Sequence, residues 1–342
     1  MKNYFNFTIK AKQFVPYFFG MLVLVIAGVA IDMLVQVIAG VAIDIAFGGA
    51  TDNPMAVLDG DYLLTWLVTT LVSLVLVFGV MALYLPVLSN VISTTIYKEQ
   101  NIEVDYNFRS WLWLTVKGLL LTTITFGIYA PWWVAAMMRF FADGASHGYN
   151  RIAFRGKGGR FFAITVLLFI VPFALLSALV AAGSMGVMAE ESGYGLLMII
   201  VGWLLFVVAG TFYQIYIYKW YLDIEYGNQR ILLGCKPGAL FWTIIGEGLL
   251  AIITLGIYSP MAFLCIYRAV AREVVVGREK IEARGGLSLT PWKDWAYCWG
   301  QILLSIVTVG IYLPWAMMRL IRRFGSRFYF KTIDRPTETM PE

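Results

Sequence analysis

Apolar positions along the chain run in long windows with no charged residue: 13–31, 62–97, 118–138, 161–189, 192–218, 248–267 and 295–318. Most reach the roughly 18–20 residues needed to cross a hydrocarbon core of about 30 Å. Between the windows the pattern changes from continuous to alternating. Asn101 to Phe108 places polar and apolar residues in turn, the period of a half-buried strand. Phe5–Ile9, Arg151–Phe154, Arg230–Leu233, Lys280–Ala283 and Arg327–Phe330 are shorter runs of the same kind, several followed by glycine-containing turns. The pattern predicts an all-α polytopic membrane protein whose linkers contribute short strands to a small sheet at the membrane surface.

Charge orders these segments across the bilayer. Only 14% of the 342 residues are charged and 60% are apolar, so a soluble core would need helices almost without polar faces. Residues 15–97 and 161–222 have the length of two full helices each, whereas 110–142, 239–272 and 295–324 do not. Four full transmembrane helices with three re-entrant helical hairpins leave two outward loops, about 45–61 and 184–194. These hold Asp52, Asp59, Asp61, Glu190 and Glu191 and none of the 26 Lys and Arg. Seven single crossings would instead put 14 of those 26 outside. The retention of cations on the cytoplasmic side favours the first arrangement, with both termini cytoplasmic and the whole chain one membrane domain. The first window continues to Asp32 without a small-residue cleavage site, as an uncleaved helix would. Two copies of Val-Ile-Ala-Gly-Val-Ala-Ile-Asp, ending at Asp32 and Asp44, lengthen it beyond membrane thickness.

One string occurs three times. Ile124-Thr-Phe-Gly-Ile-Tyr-Ala-Pro131, Ile253-Thr-Leu-Gly-Ile-Tyr-Ser-Pro260 and Val307-Thr-Val-Gly-Ile-Tyr-Leu-Pro314 are each followed, eight residues on, by Arg139, Arg268 or Arg322. This is an internal repeat. Pro131, Pro260 and Pro314 lack an N–H and clash with the carbonyls of Gly127, Gly256 and Gly310, so the helix must break there. Broken backbone at membrane depth has to meet protein or water. Thr125, Tyr129, Thr254, Tyr258, Thr308 and Tyr312 supply hydroxyls at fixed offsets. They either satisfy the turn itself or line a shared polar cavity, as broken helices do in transporters.

The string resembles the signature T-L-G-I-Y-x-P-W of the YjgN-like family of bacterial inner-membrane proteins. Trp132 and Trp315 keep the tryptophan and Met261 replaces it. The resemblance extends from about residue 70 onward and implies a bacterial inner-membrane location without an activity.

Arg139, Arg268 and Arg322 are placed to reach anionic lipid headgroups on the cytoplasmic face. Lys117, Glu247 and Gln301 lie nine or ten residues before the motif glycines and are polar positions inside apolar segments. Trp111, Trp113, Trp132, Trp133, Trp220 and Trp295 flank the windows as an interfacial belt would. Cys235, Cys265, Cys298 and the one histidine, His147, form neither a disulfide framework nor a metal set. Gly144-Ala-Ser-His-Gly148 matches a nucleophile elbow without its strand-to-helix setting, and Arg155-Gly-Lys-Gly-Gly-Arg160 lacks phosphate-loop spacing. No enzyme, cofactor or nucleic-acid partner is expected. Two function classes remain: a transporter or channel for a small or lipid-like solute, or a non-transporting scaffold that organises lipid or recruits a partner through its basic face.

Overall fold

The computed structural model describes residues 2–7, 15–16, 19, 80, 85–86, 88–97, 99–188, 192–234, 237–277 and 282–332. Helices alternate with very short strands throughout. The strands are β1 (Lys2–Phe7), β2 (Thr95–Tyr97), β3 (Gln100–Asn101), β4 (Glu103–Val104), β5 (Ala145–His147), β6 (Asn150–Phe154), β7 (Ile224–Tyr226), β8 (Gln229–Leu233), β9 (Val274–Gly277), β10 (Ala283–Leu287) and β11 (Phe328–Thr332). The helices are α1 (Phe108–Ile124), α2 (Ala130–Asp143), α3 (Gly158–Thr165), α4 (Val171–Met188), α5 (Ser192–Tyr221), α6 (Pro237–Ile253), α7 (Ser259–Glu273), α8 (Pro291–Val307) and α9 (Leu313–Gly325).

A strand of two to six residues cannot hold itself together, and these do so by pairing with strands far away in sequence. All of them join one 11-stranded sheet in the order β3-β2-β1-β11-β10-β9-β8-β7-β6-β5-β4. Every pairing is antiparallel. The two outermost members, β3 and β4, are separated in the chain by Ile102 alone. Ile102 N donates to Thr95 O at 3.1 Å and Asp105 N to Gly144 O at 2.9 Å, so the stretch 100–105 pairs with β2 on one side and β5 on the other. The described strands therefore close into a ring through this stretch. Around this ring, β4·β5, β6·β7, β8·β9 and β10·β11 each frame one insertion of helices. Tight turns link β5 to β6 and β7 to β8, with Gly148 at φ 57° and Gly227 at φ 56° taking the left-handed conformation that such turns require.

Three of the insertions with described helices are hairpins: α1–α2, α6–α7 and α8–α9. Asn107 starts α1 by accepting from Arg109 N and Ser110 N. Pro131, Pro260 and Pro314 sit in the first turns of α2, α7 and α9, where a missing N–H costs nothing. The insertion between β6 and β7 is longer. Gly158–Val187 and Gly193–Tyr221 run 30 and 29 residues with mean hydropathy 2.7 and 2.4. Val166–Ile170 forms a π-turn just before Pro172, whose missing N–H loosens the α-helical ladder upstream. Near the far ends of α4 and α5, a β-carbon on Gly183 would meet Gly195 O and one on Gly195 would meet Gly183 O. Only glycine allows backbones to approach so closely. At the other end, Ile215 packs with Leu233, Val274, Val276 and Phe330 of the sheet and Leu240, Ile244 and Val270 of the hairpin α6–α7.

The structure corrects the expected fold class. Among the described residues the protein is not all-α, and neither the four full crossings with three re-entrant hairpins nor the seven crossings are found. Among the described residues two helices are long and apolar enough to cross a membrane. The limbs of the three hairpins hold 13 to 17 residues, short of the roughly 20 that a crossing takes. The expected helix pair 15–97 lies largely outside the described residues. The sheet is no minor accessory, because closure joins every linker strand into one array. Strand positions also shift: β10 is described at Ala283–Leu287, with residues 280 and 281 of the expected run outside the described residues, and Asn101–Phe108 splits into β3, β4 and the start of α1.

Candidate functional site

The three hairpin tips share one backbone. Phe126, Leu255 and Val309 all have φ 50°, followed by Gly127 at 89° and Gly256 and Gly310 at 84°. Gly127 N donates to Thr122 O at 2.7 Å, Gly256 N to Ala251 O at 2.8 Å and Gly310 N to Ser305 O at 2.7 Å. Phe126 N, Leu255 N and Val309 N donate to Thr123 O, Ile252 O and Ile306 O. These paired bonds are a Schellman cap, which satisfies the last carbonyls of the first limb. The left-handed position of such a cap is usually glycine; here it carries a bulky apolar side chain, and the glycine comes one residue later.

The threonines act within the same turn. Thr125 Oγ1 donates to Leu121 O at 2.7 Å and accepts from Tyr129 N at 3.0 Å. Thr254 links Leu250 O (2.8 Å) to Tyr258 N (3.1 Å), and Thr308 links Leu304 O (2.7 Å) to Tyr312 N (3.1 Å). Each hydroxyl thus ties the end of one limb to the start of the next. What remains at the tips is apolar: Phe126, Leu255 and Val309 are 95%, 92% and 90% exposed. Ile124, Ile253 and Val307 before them and Ile128, Ile257 and Ile311 after them are exposed as well.

The other sequence-selected residues separate into distinct settings. Gln301 Oε1 accepts from Tyr312 Oη at 2.9 Å, and Arg319 donates to the same hydroxyl at 2.6 Å. Glu247 lies within electrostatic reach of Tyr258 and Cys265, and Cys265 within reach of Arg268. Glu247 Oε2 and Arg268 Nε are buried without a hydrogen-bond partner. Lys117 is exposed and belongs to a different position. The residue nine before Gly127 is Gly118, matching Glu247 and Gln301 in the other hairpins. Gly118 is buried under Trp133, where any β-carbon would clash. The residues equivalent to Trp133 are Ala262 and Ala316, both buried, so a large side chain on one limb accompanies a small one on the other. Arg139 donates to Gly156 O at 3.1 Å, whereas Arg322 is exposed on a cleft beside α9.

Two polar clusters escaped sequence reasoning. Asp294 is wholly buried at the start of α8 and accepts from Thr290 N at 2.7 Å. It also accepts from Arg323 at 3.0 and 2.8 Å and from Arg327 at 2.8 Å to each oxygen. Burial alone would raise its pKa, but the Thr290 amide and the two guanidiniums outweigh that and hold the carboxyl below its ordinary value. His147, the other case, sits inside the ring. Its Nε2–H donates to Tyr97 O at 2.8 Å, since a carbonyl can only accept, which leaves Nδ1 to accept from Tyr226 Oη at 2.6 Å. Tyr97, His147 and Tyr226 each precede a two-residue turn ending in Gln100, Asn150 or Gln229. That spacing was the one available signal. Burial, then the neighbouring Tyr226, pushes the Tyr97 phenol up.

These features define a protein that combines a closed antiparallel sheet, apolar-tipped hairpins and, among the described residues, two helices of membrane-crossing length. The chain belongs to a family of bacterial proteins of unknown function, DUF898, whose profile matches residues 2–146 and again 131–282. This is the family to which the YjgN-like signature pointed. No curated protein and no solved structure matches the chain.

Proposed function

We propose that this is an integral protein of the bacterial inner membrane that engages and organises lipid through its apolar hairpin tips, with its sheet and both termini on the cytoplasmic side. Gly158–Val187 and Gly193–Tyr221 serve as the anchor. The observation that carries the reading is the near-complete exposure of Phe126, Leu255 and Val309 in a conformation unfavourable to bulky residues. Large exposed apolar surfaces mark interaction sites, and backbone strain is retained where a function uses it. A solute pathway would need polar groups free to face it, and the Thr125, Thr254 and Thr308 hydroxyls already bridge the two limbs of their own hairpins. The shared tip conformation at Gly127, Gly256 and Gly310 supports an origin of the hairpins by internal duplication.

The test uses a spin label at position 126, introduced by Phe126→Cys in a background with the native cysteines replaced by serine. In reconstituted protein the label should be accessible to oxygen, which concentrates in lipid, and shielded from a water-soluble nickel chelate. Ready access of the nickel reagent would refute lipid contact at the tips.

A further inference from the structure

We propose that the cleft bounded by Tyr297, Trp315, Arg319, Arg322, Arg323 and Ser326 binds a phosphate-bearing ligand. In its lipid form the proposal rests on the membrane reading above, and names the headgroup chemistry recognised. The cleft measures about 580 Å³, the size of a small-molecule site. Trp315, Arg319, Arg322 and Ser326 are spaced four, three and four residues apart, so α9 presents them on one face. Tyr297 of α8 forms part of the opposite wall.

Charge makes the cleft a receptor for an anion. Arg319, Arg322 and Arg323 line the cleft, and Arg323 shares the carboxylate of Asp294 with Arg327. That carboxylate is taken by Arg323 and Arg327. Arg323 is further fixed with its guanidinium 4.2 Å from the centre of the Tyr297 ring. Arg319 is held by a neutral group, the Tyr312 hydroxyl, and both Arg319 and Arg322 are exposed at the rim. Two guanidiniums therefore face open space with no carboxylate hydrogen-bonded to them among the described residues. Their planar forks suit the oxygens of a phosphate, which accepts paired N–H bonds and relieves the repulsion between them.

The other hairpins lack this set. Where α9 has Arg319 and Arg323, α7 has Cys265 and Ala269 and α2 has Ala136 and Phe140. Arg139, the counterpart of Arg322, is spent on the Gly156 carbonyl. The far side of α9 lines a separate apolar cleft of about 440 Å³ with Leu313, Met317 and Leu320. A helix that is basic on one face and apolar on another is suited to the headgroup layer of a membrane.

The test compares full-length wild type with Arg319→Gln/Arg322→Gln, with Arg322→Lys, and with Arg155→Gln as a control that removes an exposed guanidinium outside the cleft. Protein is recovered from nanodiscs of phosphatidylcholine containing phosphatidylglycerol, and bound lipid is counted by native mass spectrometry. In parallel, thermal unfolding in detergent is followed with inorganic phosphate or glycerol 3-phosphate added. Wild type and Arg155→Gln should retain at least tenfold more phosphatidylglycerol than the double variant, with Arg322→Lys between them. A phosphate-dependent rise in melting temperature that the double variant loses, without retained lipid, would support the site and identify a soluble ligand. Because that arm contains no bilayer, it stands even if the tips prove water-accessible. Equal lipid retention and equal phosphate response in wild type and double variant would overturn the proposal. Should the double variant not fold by circular dichroism, Arg322→Gln alone, at an exposed side chain, carries the same comparison.

Discussion

Phe126, Leu255 and Val309 occupy the left-handed region at φ 50°, which costs an L-residue about 1–2 kcal/mol. Val309 is β-branched and the least suited of the three. Val309→Gly should therefore raise stability by about 1 kcal/mol in chemical denaturation, while weakening lipid contact at that tip. A loss of stability would show that Val309 is held by packing rather than kept in spite of strain. The glycine–proline break was legible from residue types alone. The left-handed residue ahead of the glycine was not, because bulky side chains almost never adopt that conformation. Asp294 makes the second residue-scale prediction. Asp294→Asn leaves two arginines without a counter-charge and should cost about 3 kcal/mol, measured as a lowered denaturation midpoint. Its folded-state pKa is depressed, so the carboxylate's contribution is present above the ordinary Asp value of about 3.9. It is lost as pH falls through the lower folded value. A melting temperature independent of pH throughout the acid range would contradict this.

At the scale of elements, the hairpins fit their limbs together by exchanging volume. Gly118 lies under Trp133, whereas Glu247 and Gln301 accompany Ala262 and Ala316. Gly118→Leu should destabilise the hairpin α1–α2 by about 1–3 kcal/mol through overpacking. Trp133→Ala alone should cost about 3–5 kcal/mol. Combined, they should cost clearly less than the sum, as the cycle expects of residues in contact. Additive costs would mean that the two positions do not share space. Lys117 stands out in the sequence because a charge in an apolar stretch is conspicuous. The glycine beside it, which holds the equivalent position, carries no side chain to attract notice.

The ring is the feature of the whole molecule, and β1 closes it by lying between β2 and β11. Removing residues 1–7 should expose the facing edges of both strands. Amide exchange at Thr95–Tyr97 and Phe328–Thr332 should then rise at least tenfold, with β7 and β8, on the opposite side, changing less. Uniform exchange across the sheet, with or without β1, would show that closure contributes nothing local. His147 lies at this scale too, since its bonds to Tyr97 and Tyr226 cross between strands that are not neighbours in the sheet.

Local chemistry written in the chain determined where helices break, which linkers are extended and which helix pair is apolar enough to cross a bilayer. Each of those depends on residues adjacent in sequence: a proline against the carbonyl four before it, an alternating run, an uncharged window. Tertiary structure decided what the short strands build, because a two-residue strand has no stability until distant partners supply its hydrogen bonds. It also brought Asp294 to Arg323 and Arg327 and gathered arginines around one cleft, since charges meet across a fold according to distance in space rather than along the chain.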